Sequence, residues 1–351
     1  MFEGLAENIA KAGKEVLTIG GEGGSSVLVL PYGGRVIGLF PPRGGENFLW
    51  TSPALGSPET ARALLDGAGW VNTGGDRTWL APEIDVFLPD YPKVDRYVQP
   101  RALDPGEYRV AAAGRSAARL AARISLVLSR SKRKIDLELT KEVVPAPSPL
   151  RREADLADLG GAAYAGFRLR TTLEIIGDGE AAGPVGIWSL LQLPHGGDLL
   201  VPTYGRTSPR VYFGTVRPED LAVSDRLVRW RMRAEGEHKI GLRAASVTGR
   251  AGYLHPIGRG LWDLVVRSFS VDPSGEYVDV PASAPDDLGY AFQACNVASG
   301  LGRFSEMEHH APAIGKGTGR SRGEDLSTVW AFRGSEGALR AIARRLLGKE
   351  D

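Results

Sequence analysis

The chain has 351 residues, 42% apolar and 24% charged, which is enough to bury a sizeable core. A formal charge of +1 gives no global pull towards nucleic acid or anionic lipid, and the single cysteine, Cys295, excludes an intrachain disulfide framework. No uncharged apolar run approaches the roughly 18 residues of a membrane span, and Glu3, Glu7 and Lys11 interrupt any signal-peptide core, so a soluble cytoplasmic protein is expected.

Phe2, Leu5 and Ile9 follow helical spacing, and Gly13 stops this first short helix. "SSVLVLPYGGRVIGLF" then reads as strands around a glycine turn. "SPETARALLDG" (57–67) carries Ser57 as N-cap, Pro58 in the first turn, Glu59 at the positive helix end and Gly67 as a stop. In "ARISLVLS" (122–129) and "KIDLELTK" (134–141) apolar and polar residues alternate with period two, the signature of half-buried strands. The "RSKRK" between them has no interleaved aromatics and is expected to be a solvated hairpin turn, not a nucleic-acid patch.

"VVPAPSPLRREADLADLGG" (143–161) interrupts the alternation and is read as a crossover between the halves of one sandwich. Strand patterns resume in "FRLRTTLEII", "VGIWSLLQL", "RVYFGTV", "RLVRWRMR", "HKIGLRAAS", "GLWDLVVRSFSV", "FQACNVA" and "STVWAFR". The chain ends in "SEGALRAIARRLLG" (335–348), where Leu339, Ile342, Ala343, Leu346 and Leu347 form one helical stripe expected to pack on a sheet edge. Many short strands joined by the 46 glycines and by prolines predict an all-β chain. The expectation is one large antiparallel β-sandwich domain over 1–351 with a few short helices.

Four stretches carry chemistry. In "NTGGDRTWLAPEIDVFLPDY" (72–91), Gly74 and Gly75 permit a tight turn, and Arg77, Trp79 and Glu83 follow. An indole covers the apolar face of a sugar while a guanidinium and a carboxylate bond its hydroxyls. In "VGIWSLLQLPHGG", Trp188 and Gln192 share a strand face, and His195 opens the next turn as a proton donor near neutrality. In "EHKIGLRAAS", Lys239 lies opposite Ile240 and Leu242 and could reach a bound hydroxyl or carboxylate.

The fourth stretch, "RFSEMEHHAPAI" (303–314), puts Glu306, Glu308 and His310 on one strand face and Met307 and His309 on the other. Either glutamate could act as a base. Glu308 and His310 could also begin a metal site, with His195 or His255 as the distant third ligand, but a metal-free site is the expectation.

In their order these clusters resemble the galactose mutarotase-like (aldose 1-epimerase-like) superfamily. The resemblance is carried by "YGGRVIGLFPPRGGENFLW", "GGDRTW", "LELTKEVVP" and "SEMEHHAP", in a branch with "GG-R-W-PE" and "E-E-H-P" patterns. It implies a single large antiparallel β-sandwich and a small-molecule sugar or glycoside as partner, with no cofactor. It also implies acid/base chemistry at the anomeric carbon, with Glu306 or Glu308 as base and Arg77 binding substrate. The superfamily's mid-strand histidine is absent from "GIWSLLQLPHGG", which leaves His195 or His310 for the acid. Trp79, Glu83, Trp188, Gln192 and Lys239 would hold the sugar. A non-catalytic sugar-binding protein, or lyase or deglycosidase chemistry on the same fold, are the alternatives.

Overall fold

A computed structural model of the chain describes residues 2–152, 161–177 and 183–348. Its strands are β1 (Leu17–Gly20), β2 (Ser26–Leu30), β3 (Arg35–Phe40), β4 (Asp76–Ala81), β5 (Arg109–Ala113) and β6 (Ala118–Val127). They continue as β7 (Lys134–Pro145), β8 (Ala163–Ile175), β9 (Gly186–Pro194), β10 (Asp198–Pro202), β11 (Arg210–Phe213), β12 (Leu221–Val223) and β13 (Leu227–Arg231). The last six are β14 (Gly236–Leu242), β15 (Arg250–Gly258), β16 (Leu261–Phe269), β17 (Phe292–Ser299), β18 (Gly302–His310) and β19 (Arg322–Ser335). The helices are α1 (Phe2–Lys11), α2 (Pro58–Leu65), α3 (Glu83–Val86) and α4 (Glu336–Leu347).

The strands form two antiparallel sheets. The first runs β1-β2-β3-β4-β9-β18-β17-β14-β11, and the second runs β12-β13-β10-β15-β16-β19-β8-β7-β6-β5. The predicted alternation explains how they pack. Ile240, Leu191, Leu193, Met307 and Ala294 of the first sheet meet Leu169, Val201, Tyr253, Val265 and Val329 of the second in one shared core. The neighbours of those first-sheet residues, Lys239, Gln192, Glu306, Glu308 and Cys295, therefore fall on the opposite face. That face carries the site.

A polar seam also crosses the core directly beneath β4, β9 and β18. The fully buried Arg267 of β16 lies 3.1 Å from Asp76 of β4 and donates to the Ser189 hydroxyl at 2.9 Å. His309 of β18, on the core face as the alternation predicted, meets both carboxylate oxygens of Asp325 in β19 at 2.9 Å. These contacts tie the three site-bearing strands to the sheet behind them. Buried pairs of this kind fix geometry more than they add stability.

Two sequence expectations need correction. The strands flanking 143–161, β7 and β8, pair with each other antiparallel within the second sheet, so that segment is a long hairpin connection and not a crossover between sheets. Residues 153–160 of it lie outside the described residues. The α4 stripe covers Leu200, Leu254, Leu264, Val266 and Phe332 on the outer face of central strands, not a sheet edge. A stripe of five large apolar residues is satisfied by a broad apolar face; an edge offers mainly backbone groups.

Other expectations match local structure. Ser57 Oγ accepts from the Thr60 amide, and Ile9 is buried against α2, while the Phe2 side chain lies outside the described residues. The "RSKRK" turn is partly anchored, because Arg130 donates twice to Asp85 Oδ2, at 2.8 and 3.0 Å. Among the described residues no helix is long and apolar enough to cross a membrane.

Candidate active site

The outer face of the first sheet carries a cavity of about 480 Å³ whose floor is β4, β9, β18, β17 and β14. Gly74 and Gly75 (φ +90° and +79°) make the turn that feeds β4. A Cβ on either would collide with the carbonyl oxygen of Trp50 or Val36, so only glycine lets this turn lie so close to its neighbours. The turn sets the register that places Arg77 across from Leu190, which in turn faces Glu308.

Each floor glutamate has its own cation. Glu306 Oε1 accepts from Arg77 Nη2 and from Gln192 Nε2, both at 2.9 Å. Glu308 Oε2 accepts from Trp188 Nε1 at 2.8 Å and from Lys239 Nζ at 3.1 Å. The cations are also stacked on aromatic faces: Arg77 lies 4.3 Å from the Trp79 ring centroid and Lys239 lies 4.4 Å from that of Trp188. Asp104, held by Arg35 at 2.6 Å, accepts from the indole N–H of both Trp79 and Trp70 and so sets the rings that flank Arg77.

Burial pushes the Glu308 carboxyl up to about 7 against the pull of Lys239, and the neighbouring Glu306 charge adds to the rise. Its second oxygen, Oε1, is buried without a hydrogen-bond partner, as are Nε and Nη1 of Arg77. Both groups thus keep hydrogen-bonding capacity that no described protein group uses. For Lys239, burial would lower the ammonium pKa, but Glu308, Glu83 and Asp279 together raise it above the ordinary lysine value.

Glu83, the first residue of α3, also lines the cavity and is tied to Asp279. Asp279 Oδ1 accepts from the Glu83 amide at 2.7 Å and Oδ2 from Gln293 Nε2 at 2.6 Å. Burial raises Asp279 to about 6 against Lys239, with Glu83 adding to the rise. Glu83 lines the wall and accepts from the Tyr97 hydroxyl at 2.8 Å.

Of the residues named from sequence, Arg77, Trp79, Glu83, Trp188, Lys239, Glu306 and Glu308 line this one cavity. Gln192 lies behind Glu306 as its hydrogen-bond donor. The two histidines lie elsewhere. His195 sits in the turn after β9 with Nε2 3.3 Å from the Ala234 carbonyl oxygen. His310 is buried behind the Trp188 ring at 5.5 Å, where burial holds its pKa well below the usual value and Lys239 lowers it further. Neither lines the cavity, so the pairing of glutamate with a facing histidine does not form.

Sequence reasoning missed Trp70, Tyr97, Phe213, Leu301 and Phe304, which complete the walls. The loop aromatics Trp70 and Tyr97 have no periodicity to mark them. Phe213 and Phe304 stood in strand patterns that show a face but not what the face meets. Cys295 also lines the cavity, and burial together with Glu306 and Glu308 raises its thiol pKa well above the usual value.

One ligand atom each from Cys295, Glu306 and Glu308 lie within 4.8 Å of one another. The donor set fits a dication poorly. Arg77 and Lys239 already hold one oxygen of each carboxylate, and they would repel a second positive charge.

This two-sheet architecture with its groove face is a galactose mutarotase-like β-sandwich. Similar in fold is a crystal structure of an Escherichia coli K12 protein with a proposed assignment as an aldose 1-epimerase. It is 12% identical with a TM-score of 0.52, over 91% of this chain and 99% of that one. A galactose mutarotase related enzyme from Lactobacillus acidophilus aligns over 92% and 98% of the two chains at 8% identity and a TM-score of 0.48. No curated protein matches the sequence. Residues 7–350 match the family described as "Family of unknown function (DUF6786)", and the chain belongs to that family.

Proposed function

We propose that the cavity binds a sugar and catalyses proton transfer at its anomeric carbon, with Glu308 as the acid and Glu306 as the base. The observation that carries this reading is the raised carboxyl of Glu308. A group that titrates at about 7, with one oxygen buried and unpartnered, is matched to donating a proton near neutral pH. The carboxylate left behind is met at once by Lys239 and the Trp188 N–H, which already bond its other oxygen.

In this reading Glu308 protonates the ring oxygen while Glu306, fixed by Arg77 and Gln192, takes the proton of the anomeric hydroxyl. The bond between the anomeric carbon and the ring oxygen breaks to give the open aldehyde. Rotation of the aldehyde and the reverse proton movements close the ring as the other anomer and restore both glutamates. Arg77, stacked on the Trp79 ring, would hold the sugar beside Glu306. The fold likeness to aldose 1-epimerases agrees with this chemistry, while the departure is that a carboxylic acid takes the place of a histidine.

The test is anomer interconversion, followed by NMR for a panel of free sugars. Exchange above the buffer rate that disappears in Glu308→Gln supports the reading. A folded protein that binds sugars and leaves their exchange at the buffer rate would restrict it to a carbohydrate-binding role.

A further inference from the structure

Along β18 the cavity changes character within one strand. Glu306 and Glu308 face the polar half, whereas Phe304, two residues earlier, pairs across β17 with Val297. At roughly 3.3 Å per residue the Phe304 ring begins only about 7 Å along the strand from Glu306. Phe304 is wedged against Trp50, ring centroids 4.7 Å apart, and Leu301 stands on the hairpin turn beyond it. The one charged residue paired into this end, Glu237, is turned to the rim, where it accepts from Ser299 Oγ at 2.7 Å.

A sugar hydroxyl placed against Val297, Leu301 and Phe304 would lose water to apolar side chains, and the carboxylate beside them, Glu237, is already engaged by Ser299, which makes the exchange unfavourable. The rings on the polar side do not compensate: Trp79 and Trp188 already carry Arg77 and Lys239 on their faces. At the apolar end the cavity meets solvent past Leu301, which is 49% exposed on the hairpin turn. Its volume, about 480 Å³, falls in the range that encloses a drug-sized ligand.

We infer that the ligand is a sugar bearing an apolar substituent, with the ring over Glu306 and Glu308 and the substituent along Phe304 and Leu301 towards the mouth. This rests on the sugar reading above and specifies its substrate class.

The test is calorimetric binding of common hexoses in two reducing forms, unsubstituted and with a 6-O-benzyl group. The expected result is that the substituted form of the recognised sugar binds at least tenfold more tightly than its unsubstituted counterpart. Leu301→Asp, at an exposed turn position that leaves the fold intact, should erase that preference and leave the unsubstituted form within about twofold. Equal affinity for both forms overturns this inference and leaves the sugar reading standing. A preference that survives this variant also overturns it, since the substituent would then lie elsewhere. If no carbohydrate in either form binds the folded protein, the sugar reading falls and this inference falls with it.

Discussion

Replacing Lys239 with methionine, Lys239→Met, probes the central claim without needing a substrate. Glu308 titrates at about 7 because burial raises it while the ammonium 3.1 Å away lowers it. An opposite charge at that range is worth roughly 1–3 pKa units. Removing it should therefore move the Glu308 midpoint upward by about that amount. The assay is a pH titration of the protein with 13C-labelled glutamate side chains. One carboxyl resonance should have its midpoint near 7, vanish in Glu308→Gln and move up in Lys239→Met. If every glutamate carboxyl titrates in the ordinary range near 4.5, or if the Lys239→Met midpoint stays put or falls, the electrostatic account of the site is wrong.

The same shift has a consequence for stability. Glu308 binds its proton more tightly folded than unfolded, where the ordinary value is 4.5. Between about 4.5 and 7 the native state holds more protons than the unfolded chain, so stability falls as pH rises through this window and levels off above it. A difference of about 2.5 units corresponds to roughly 3 kcal/mol. Asp279, raised to about 6, adds a decline of the same sign that Glu308→Gln retains. Urea unfolding of wild type and Glu308→Gln across this range should give curves whose difference changes by about that amount. A pH-independent difference would contradict it.

Further expectations concern the seam, the turn and the acid. Arg267→Met leaves the Asp76 carboxyl without its cation in the core and should cost about 3–5 kcal/mol in urea unfolding, with much of it recovered by adding Asp76→Asn. Gly75→Ala, at φ +79° with a backbone carbonyl in the way of its Cβ, should destabilise by more than about 1 kcal/mol and weaken sugar binding by displacing Arg77. Glu308→Gln should lower anomer exchange by about 10²–10⁴-fold, whereas His195→Ala, outside the cavity, should leave it within about twofold. Exchange should also fall as pH rises through about 7, because the reacting form of Glu308 is protonated; a rate that climbs through that point would make Glu308 the base.

The two faces of every site strand could be read before any coordinates. Period-two alternation put Glu306 and Glu308 opposite Met307 and His309, and Lys239 opposite Ile240, because side chains in a strand point to alternate faces whatever lies around them. The ordered clusters also gave the fold class. Alternation does not say what each face meets. His310 shares the face of Glu308, yet the Trp188 ring covers it, and His195 turns to a backbone carbonyl in its own turn. The residues that close the walls, Trp70, Tyr97, Phe213 and Leu301, come from loops and strand ends whose positions depend on contacts distant in sequence.

The stretch 143–161 was misread for a related reason. Strand spacing on both sides is the same whether the next strand pairs with the last one or crosses to the other sheet, and only the hydrogen-bond register separates the two. Local sequence thus determined the strands, their inward and outward residues, and a groove face carrying two glutamates, an arginine and a lysine. Tertiary structure alone decided which of these groups share one cavity and which cation faces which carboxylate. It also decided that Glu308 is buried deeply enough to hold its proton near pH 7, because burial and pairing are properties of neighbours that the chain brings together only on folding.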